Sequence, residues 1–320
     1  MQHRASWIDP RGRLSRRQLL ASGAGISLAA LPLCLLNGWS LAAEELLSRP
    51  IPHTGEMLPA VGLGTASVFD VGQDEAQRAN LKGVIAALIS GGGRLIDTAS
   101  SYGTDEEVIG ALVAELRARG NLFLATKIES TEARPGLKEF RQSLERLRTD
   151  KVDLLQLHNV TDPKQSLAAF RDWKAQGLCR YVGVTSTFSR DYGAMEAVVR
   201  REKPDFMQVE YSLGSREAEK RLLPTAKDAG SAVLTALPFG RNSLFRVVKG
   251  KDVPDWAREF DAASWGQFFL KYLLGNEVVT AVIPGTDKAE HMSDNLGAGR
   301  GRLPDQAQRR KMAEYFDQLR

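Results

Sequence analysis

The sequence predicts an α/β chain folded as a single (β/α)8 TIM barrel, and three features predict it. Beyond residue 50, short runs rich in Val, Ile and Leu alternate with longer stretches at helical spacing. The runs are apolar throughout rather than at every second position, which marks strands buried on both faces of a parallel sheet covered by helices. Eight strand–helix units fit within the 277 residues that follow position 43, the size of a closed eightfold barrel. A doubly wound sheet is the alternative arrangement of the same units.

In order, a hairpin is expected over residues 49–59, turning at Thr54-Gly55 and plugging one end of the barrel. The eight strands are expected at Ala60–Leu63, Arg94–Ile96, Leu122–Thr126, Leu154–Leu157, Tyr181–Val184, Phe206–Val209, Ala232–Thr235 and Val278–Ile283. Helices are expected near 74–90, 104–119, 136–148, 164–176, 190–201, 215–229, 262–274 and 287–296, and a last one over 303–319 after Leu303-Pro304. The segment from Leu237 to Asp261 is too long for an ordinary connection, and loops of that length are functional or disordered. No linker, low-complexity tract or shorter repeat interrupts residues 44–320, which read as one domain.

Composition is globular: of 320 residues, 43% are hydrophobic and 26% charged, with 29 Gly and 13 Pro, which excludes collagen-like, disordered and polytopic membrane chains. The formal charge of +4 suggests a polyanion partner, but its distribution removes that reading. Residues 1–43 hold five of the 43 basic residues and one of the 39 acidic ones, so 38 of each remain and the body is neutral. A nucleic-acid-binding body carries a basic excess, so no nucleic acid is expected as a partner. Two cysteines, Cys34 and Cys179, exclude a disulfide framework. The four histidines (His3, His53, His158, His291) are scattered, and no metal-ligand spacing appears.

Residues 1–43 read as an address. A basic segment ends in Ser15-Arg16-Arg17-Gln18-Leu19-Leu20, an uncharged apolar stretch runs from Leu19 to Leu36, and Leu41-Ala42-Ala43 offers a small-residue cleavage site. This resembles the twin-arginine export signal of bacteria, and implies the twin-arginine translocase as a transient partner and a periplasmic destination. An uncleaved anchor is the rival, since 18 residues reach the lower limit for a span. Ser22, Gly23, Gly25, Ser27 and Pro32 make the stretch a poor anchor, and no stable membrane attachment is expected.

In such barrels chemistry sits at the carboxyl ends of the strands. Three consecutive strands each deliver a titratable group there: Asp97 and the following Tyr102, then Lys127, then His158. A desolvated Lys127 needs a partner, and Asp97 on the adjacent strand can supply it. A lysine close to Tyr102 favours the phenolate, and moving a tyrosine from about 10 towards 7 takes roughly 4 kcal/mol. The outcome is a general acid able to protonate a carbonyl oxygen, with His158 orienting that oxygen. Singly, each residue has an ordinary structural role. Four at successive strand ends do not fit chance.

With these residues in view, the chain resembles the aldo-keto reductase family. The matching segments, in order over residues 50–320, are Val61 to Thr65, Asp97-Thr98-Ala99 with Tyr102, Ala125 to Lys127, Leu154 to His158, Gly183 to Ser186, Gln208 to Tyr211, and Val282 to Thr286. The resemblance implies NAD(P)-dependent reduction of an aldehyde or ketone to an alcohol, with Tyr102 as proton donor, tuned by Lys127 and Asp97, and His158 orienting the substrate.

The resemblance also places the cofactor, NADP by family habit with NAD as the alternative. It implies Thr185, Ser186 and Gln208 at the carboxamide, Gly240 and Arg241 in the segment over the pyrophosphate, and Thr286, Asp294 and Asn295 at the adenosine. Gly64 and Thr65 belong to the same expected site. Several positions depart from the family pattern. Thr185-Ser186 replaces Ser-Asn, Ala236 stands where an aromatic stacks on the nicotinamide, with Phe239 as its replacement, and Gly285 and His291 replace Lys and Arg that hold a 2′-phosphate. These departures support a second reading, a cofactor-binding sensor or partner subunit with little turnover. The intact set of Asp97, Tyr102, Lys127 and His158 argues against it. Trp173, Trp256 and Trp265 are expected in helix packing rather than in the site.

Overall fold

A computed structural model describes residues 45–130, 132–158 and 164–320. The twin-arginine motif, the apolar stretch and the cleavage site expected within residues 1–43 lie outside the described residues.

The described chain opens with an antiparallel hairpin, β1 (Ser48–Pro50) and β2 (Met57–Pro59), turning at Thr54 and Gly55 as expected. The N–H groups of Thr54 and Gly55 both donate to the Ile51 carbonyl, at 3.1 and 2.8 Å, and Gly55 supplies the positive φ of 73°. Eight parallel strands follow in sequence order: β3 (Leu63–Gly64), β4 (Leu95–Asp97), β5 (Phe123–Ile128), β6 (Val152–His158), β7 (Cys179–Ser186), β8 (Phe206–Glu210), β9 (Ala232–Ala236) and β10 (Val279–Val282). The ends of this sheet meet. Val61 pairs in parallel with Val282, the Val282 N–H donates to Ala60 at 2.9 Å, and the Gly64 N–H donates to Pro284 at 3.1 Å. The sheet is therefore a barrel and not a doubly wound sheet.

The helices are α1 (Glu75–Ser90), α2 (Asp105–Glu115), α3 (Ala133–Arg146), α4 (Lys164–Ala175), α5 (Tyr192–Glu202), α6 (Leu222–Ala229), α7 (Ser243–Val247), α8 (Trp265–Leu274), α9 (Ala289–Gly297) and α10 (Gln306–Leu319). Local chemistry sets several boundaries. Asp74 caps α1 by accepting from the Gln77 N–H at 2.9 Å, Ser264 caps α8 in the same way, and Asp305 with Gln308 forms a capping box on α10. α3 starts three residues earlier than its pattern suggests, because Pro135 is tolerated in a first turn that does not use its missing N–H.

Two apolar layers result. The outer one fills the space between strands and helices. The inner one fills the barrel with Leu95, Phe123, Leu154, Tyr181, Phe206 and Leu234, and Ile51 and Leu58 of the hairpin close its lower end. One expectation needs correction. Strand pairing near the first unit centres on Leu63 and Gly64 rather than Ala60–Leu63. A Cβ at Gly62 would sit 2.8 Å from the Leu95 Cβ, so backbone and side chain are pressed together there. The 237–261 segment is ordered by α7 and by a 3-10 turn over Asp255–Phe260, with Ala257 and Phe260 buried.

Candidate active site

In a parallel sheet, paired residues point to the same face. Asp97 pairs with Ala125, Lys127 with Gln156, His158 with Thr185, and Thr185 with Gln208. These positions lie above the apolar filling, at the carboxyl ends of the strands, and form a polar layer inside the barrel.

Lys127 is buried to 1% exposure, where a lone ammonium would cost several kcal/mol. It is not alone. Its Nζ donates to Asp97 Oδ2 at 2.6 Å and to the Thr98 carbonyl at 2.7 Å. Burial pushes the Lys127 ammonium down, but the charges of Asp97, Tyr102 and Glu106 and the Asp97 hydrogen bond outweigh it, so Lys127 stays protonated. The Asp97 carboxylate is held from the other side by two amides. Gln156 Nε2 donates to Oδ1 at 3.2 Å, and Gln208 Nε2 donates to Oδ2 at 3.1 Å. Gln156 also donates to Gln208 Oε1 at 2.7 Å, closing the network.

Tyr102 follows β4 on a tight turn, with its N–H donating to the Ala99 carbonyl at 3.2 Å. Its ring lies 5.3 Å from Lys127 Nζ and meets the His158 ring edge-on at 5.6 Å. Burial, with the nearby Lys127 charge, pushes His158 down to about 3, so the imidazole is neutral. Its Nδ1 lies 3.3 Å from Ser101 Oγ and 3.5 Å from Glu129 Oε1. A neutral imidazole carries one N–H, and with the Ser101 hydroxyl donating to Nδ1 that N–H is on Nε2.

These groups open into a cavity of about 490 Å³ lined by Asp97, Tyr102, Lys127 and His158. Gly64, Thr65, Thr185, Gln208 and Arg241 line it as well, so five of the ten residues expected at the cofactor are in this cavity. A second cavity of about 770 Å³ holds Thr286, Asp294 and Asn295. The two share Ser67, Val68, Phe239, Asn242 and Gly285 and form one elongated groove.

The two other expected residues lie elsewhere. Ser186 is fully buried and points away from the barrel interior, because it follows the inward-facing Thr185 in an extended strand. Its hydroxyl accepts from the Phe188 N–H at 3.2 Å and donates to Asp191 at 3.1 Å. Gly240 faces a separate small cavity with Glu210 and Ser212, and its φ of 55° turns the chain toward Arg241 and Asn242, which are also left-handed. Trp265 is the reverse case: it lines the second cavity, stacked on Phe269 at 5.6 Å, instead of serving helix packing alone. Gln156 carries little signal in the sequence because it sits within Leu154-Leu155-Gln156-Leu157. Its place two residues before His158, and so on the same face, is the signal that marks it.

A closed parallel barrel whose upper end gathers a buried lysine–carboxylate pair, a tyrosine and a neutral histidine around one groove has the layout of a carbonyl oxidoreductase. A model of the Aldo/keto reductase family matches residues 60–311, and the chain belongs to that family. It is 30% identical to the methylglyoxal reductase YeaE of Escherichia coli over 256 residues, 77% of this chain and 88% of that one. It is 28% identical to the aldo-keto reductase str7 of Strobilurus tenacellus over 294 residues, 79% of this chain and 85% of that one. Among solved structures, an aldo-keto reductase from Klebsiella pneumoniae in complex with NADPH superposes with a TM-score of 0.69 at 25% identity, covering 85% of this chain and 95% of that one. The protein is an enzyme that reduces a carbonyl group to an alcohol.

Proposed function

We propose that the protein reduces a small aldehyde or ketone with NADPH, and that Tyr102 donates the proton. The carrying observation is the buried Lys127–Asp97 pair set against the Tyr102 ring beside a neutral His158.

The groove fits a dinucleotide. It is long and continuous, it begins at Tyr102, and a Cβ at Gly64 would sit 2.7 Å from the Ile283 carbonyl, so the wall there is pared to backbone. The Thr65 hydroxyl is buried without a partner. Thr185 and Gln208 would hold the reactive end, Gly64 and Thr65 its flank, and Arg241 the phosphates. Thr286, Asp294 and Asn295 would hold the far end. When bound, the cofactor supplies a hydride. Phe239, on the wall shared by both cavities, takes the place of the aromatic missing at Ala236.

The chain's own residues do the rest. The His158 Nε2–H and the Tyr102 hydroxyl hold the carbonyl oxygen, and Tyr102 passes its proton to that oxygen as it gains negative charge. Lys127 stabilises the charge left on Tyr102, while Asp97, Gln156 and Gln208 fix Lys127 in place. Mixing purified protein with NADPH and short aldehydes tests this reading. NADPH consumption matched by alcohol formation is expected, and NADPH binding without turnover of any carbonyl would favour a sensor instead.

The same reading extends to the amino terminus. Ser15 to Leu20 and Leu41 to Ala43 support twin-arginine export, cleavage after Ala43 and a periplasmic enzyme. That route carries folded proteins, so the cofactor would travel bound. Among the described residues no helix is long and apolar enough to cross a membrane. Periplasmic protein of full-length mass, or protein confined to the cytoplasm, would reject this part.

A further inference from the structure

Asp105 opens α2 and has no exposed surface. Neither of its carboxyl oxygens has a hydrogen-bond partner within 3.5 Å, and the buried Thr65 hydroxyl, likewise without a partner at that distance, is the side chain placed to donate to it. It does not occupy the cap position of its helix. Thr104 holds the cap position, and Asp74 and Asp305 show how a carboxylate in this chain serves when it caps. A buried carboxyl group without a partner is unfavourable, so a residue of this kind beside a catalytic cluster calls for a functional explanation.

Its surroundings define its charge. From the loop before α1, Thr65 and Asp70 face it. On α2 its neighbour is Glu106, and on β5 it is Lys127. Asp70 is engaged with the N–H and hydroxyl of Thr104, and Glu106 with Thr126 and Arg146. Burial first, then Asp70 and Glu106, push Asp105 up to about 7, against the opposing pull of Thr65 and Lys127. The Asp105 N–H donates to the Tyr102 carbonyl at 3.2 Å, so the turn that carries Tyr102 ends at Asp105.

We propose that Asp105 is a positioning residue that acts through Lys127 and Tyr102. As a neutral acid it leaves the charge developing on Tyr102 to Lys127 alone, and as a carboxylate it opposes that charge and slows proton donation. This rests on the reductase reading above and adds a group to it.

The test joins a measurement without turnover to one with it. Infrared difference spectra of the ligand-free full chain, titrated from pH 5 to 9, should show a protonated carboxyl band lost on the alkaline side and missing in Asp105→Asn. With NADPH and a short aldehyde, kcat for reduction should fall by about fivefold or more from pH 6 to pH 8 in the wild type, by the Coulomb effect of one added charge. The ratio should approach 1 in Asp105→Asn. Asp70→Asn, an exposed change that removes one like charge, should move the step to lower pH without abolishing it. A wild type lacking the carboxyl band at pH 5, or an unchanged kcat step in Asp105→Asn, would overturn the proposal. No reduction at any pH would overturn the reductase reading, and the infrared band would still decide whether Asp105 holds its proton.

Discussion

Lys127 Nζ and Asp97 Oδ2 lie 2.6 Å apart at 1% and 4% side-chain exposure, and everything else in the site is arranged around that contact. Such a pair is a poor source of stability but a strict specification of geometry, since either partner alone is a stranded charge. Lys127→Met should therefore lower the unfolding free energy by about 3–5 kcal/mol by leaving Asp97 uncompensated. Adding Asp97→Asn should recover part of that loss in denaturant titrations without restoring turnover. Recovery of activity in the double variant would show that the ammonium is structural only.

The amide pair behind Asp97 makes a separable contribution. Gln156→Leu removes the donor to Asp97 Oδ1 and to Gln208 Oε1, so two buried acceptors each lose a partner. A stability loss of about 1–3 kcal/mol is expected by chemical denaturation. A fall in kcat with KM little changed is expected from steady-state kinetics, because Gln156 acts through Lys127 and not on substrate.

His158 gives a pH prediction with a definite sign. Its folded value near 3 lies below the ordinary histidine value of 6.5, so the stability it contributes is present above pH 6.5 and is lost as pH falls towards 3. His158→Gln should flatten the decline in stability between pH 6.5 and 4.5. The wild-type kcat/KM for reduction should show no histidine limb over the same window.

Asp105 shifts the other way. Its folded value near 7 lies above the ordinary 3.8, so its favourable contribution is complete below pH 3.8 and is lost as pH rises through 7. Asp105→Asn should be the more stable protein at pH 8, by about 4 kcal/mol at most, with the difference closing towards pH 4. Equal melting temperatures for the two at pH 8 would show that the carboxyl group is not strained.

Legibility in the sequence followed burial. Asp97, Lys127 and His158 end apolar runs, so the pattern that marks each strand also marks the group at its mouth. Gln156 was hidden because one polar residue in such a run reads as an interruption. It is in fact the inward position that bridges Asp97 and Gln208. Motif order does not carry the twofold alternation of a strand, so it names Thr185 and Ser186 together, whereas the structure turns Thr185 inward and Ser186 outward. Asp105 was illegible for another reason. An acid at a helix start ordinarily caps the helix or favours its dipole, and only the closed structure shows that this one does not cap and is sealed from water. The groove itself draws on the 237–261 segment, whose path depends on left-handed residues at Leu237, Gly240, Arg241 and Asn242 that length and composition do not reveal.

The central claim, that Tyr102 donates the proton, is most directly tested by Tyr102→Phe. Cofactor binding, read from quenching of protein fluorescence by NADPH, should be retained within a few-fold, while kcat for carbonyl reduction should fall by about 10²–10⁴-fold. Turnover within tenfold of the wild type, with binding intact, would contradict it and place the proton donor elsewhere.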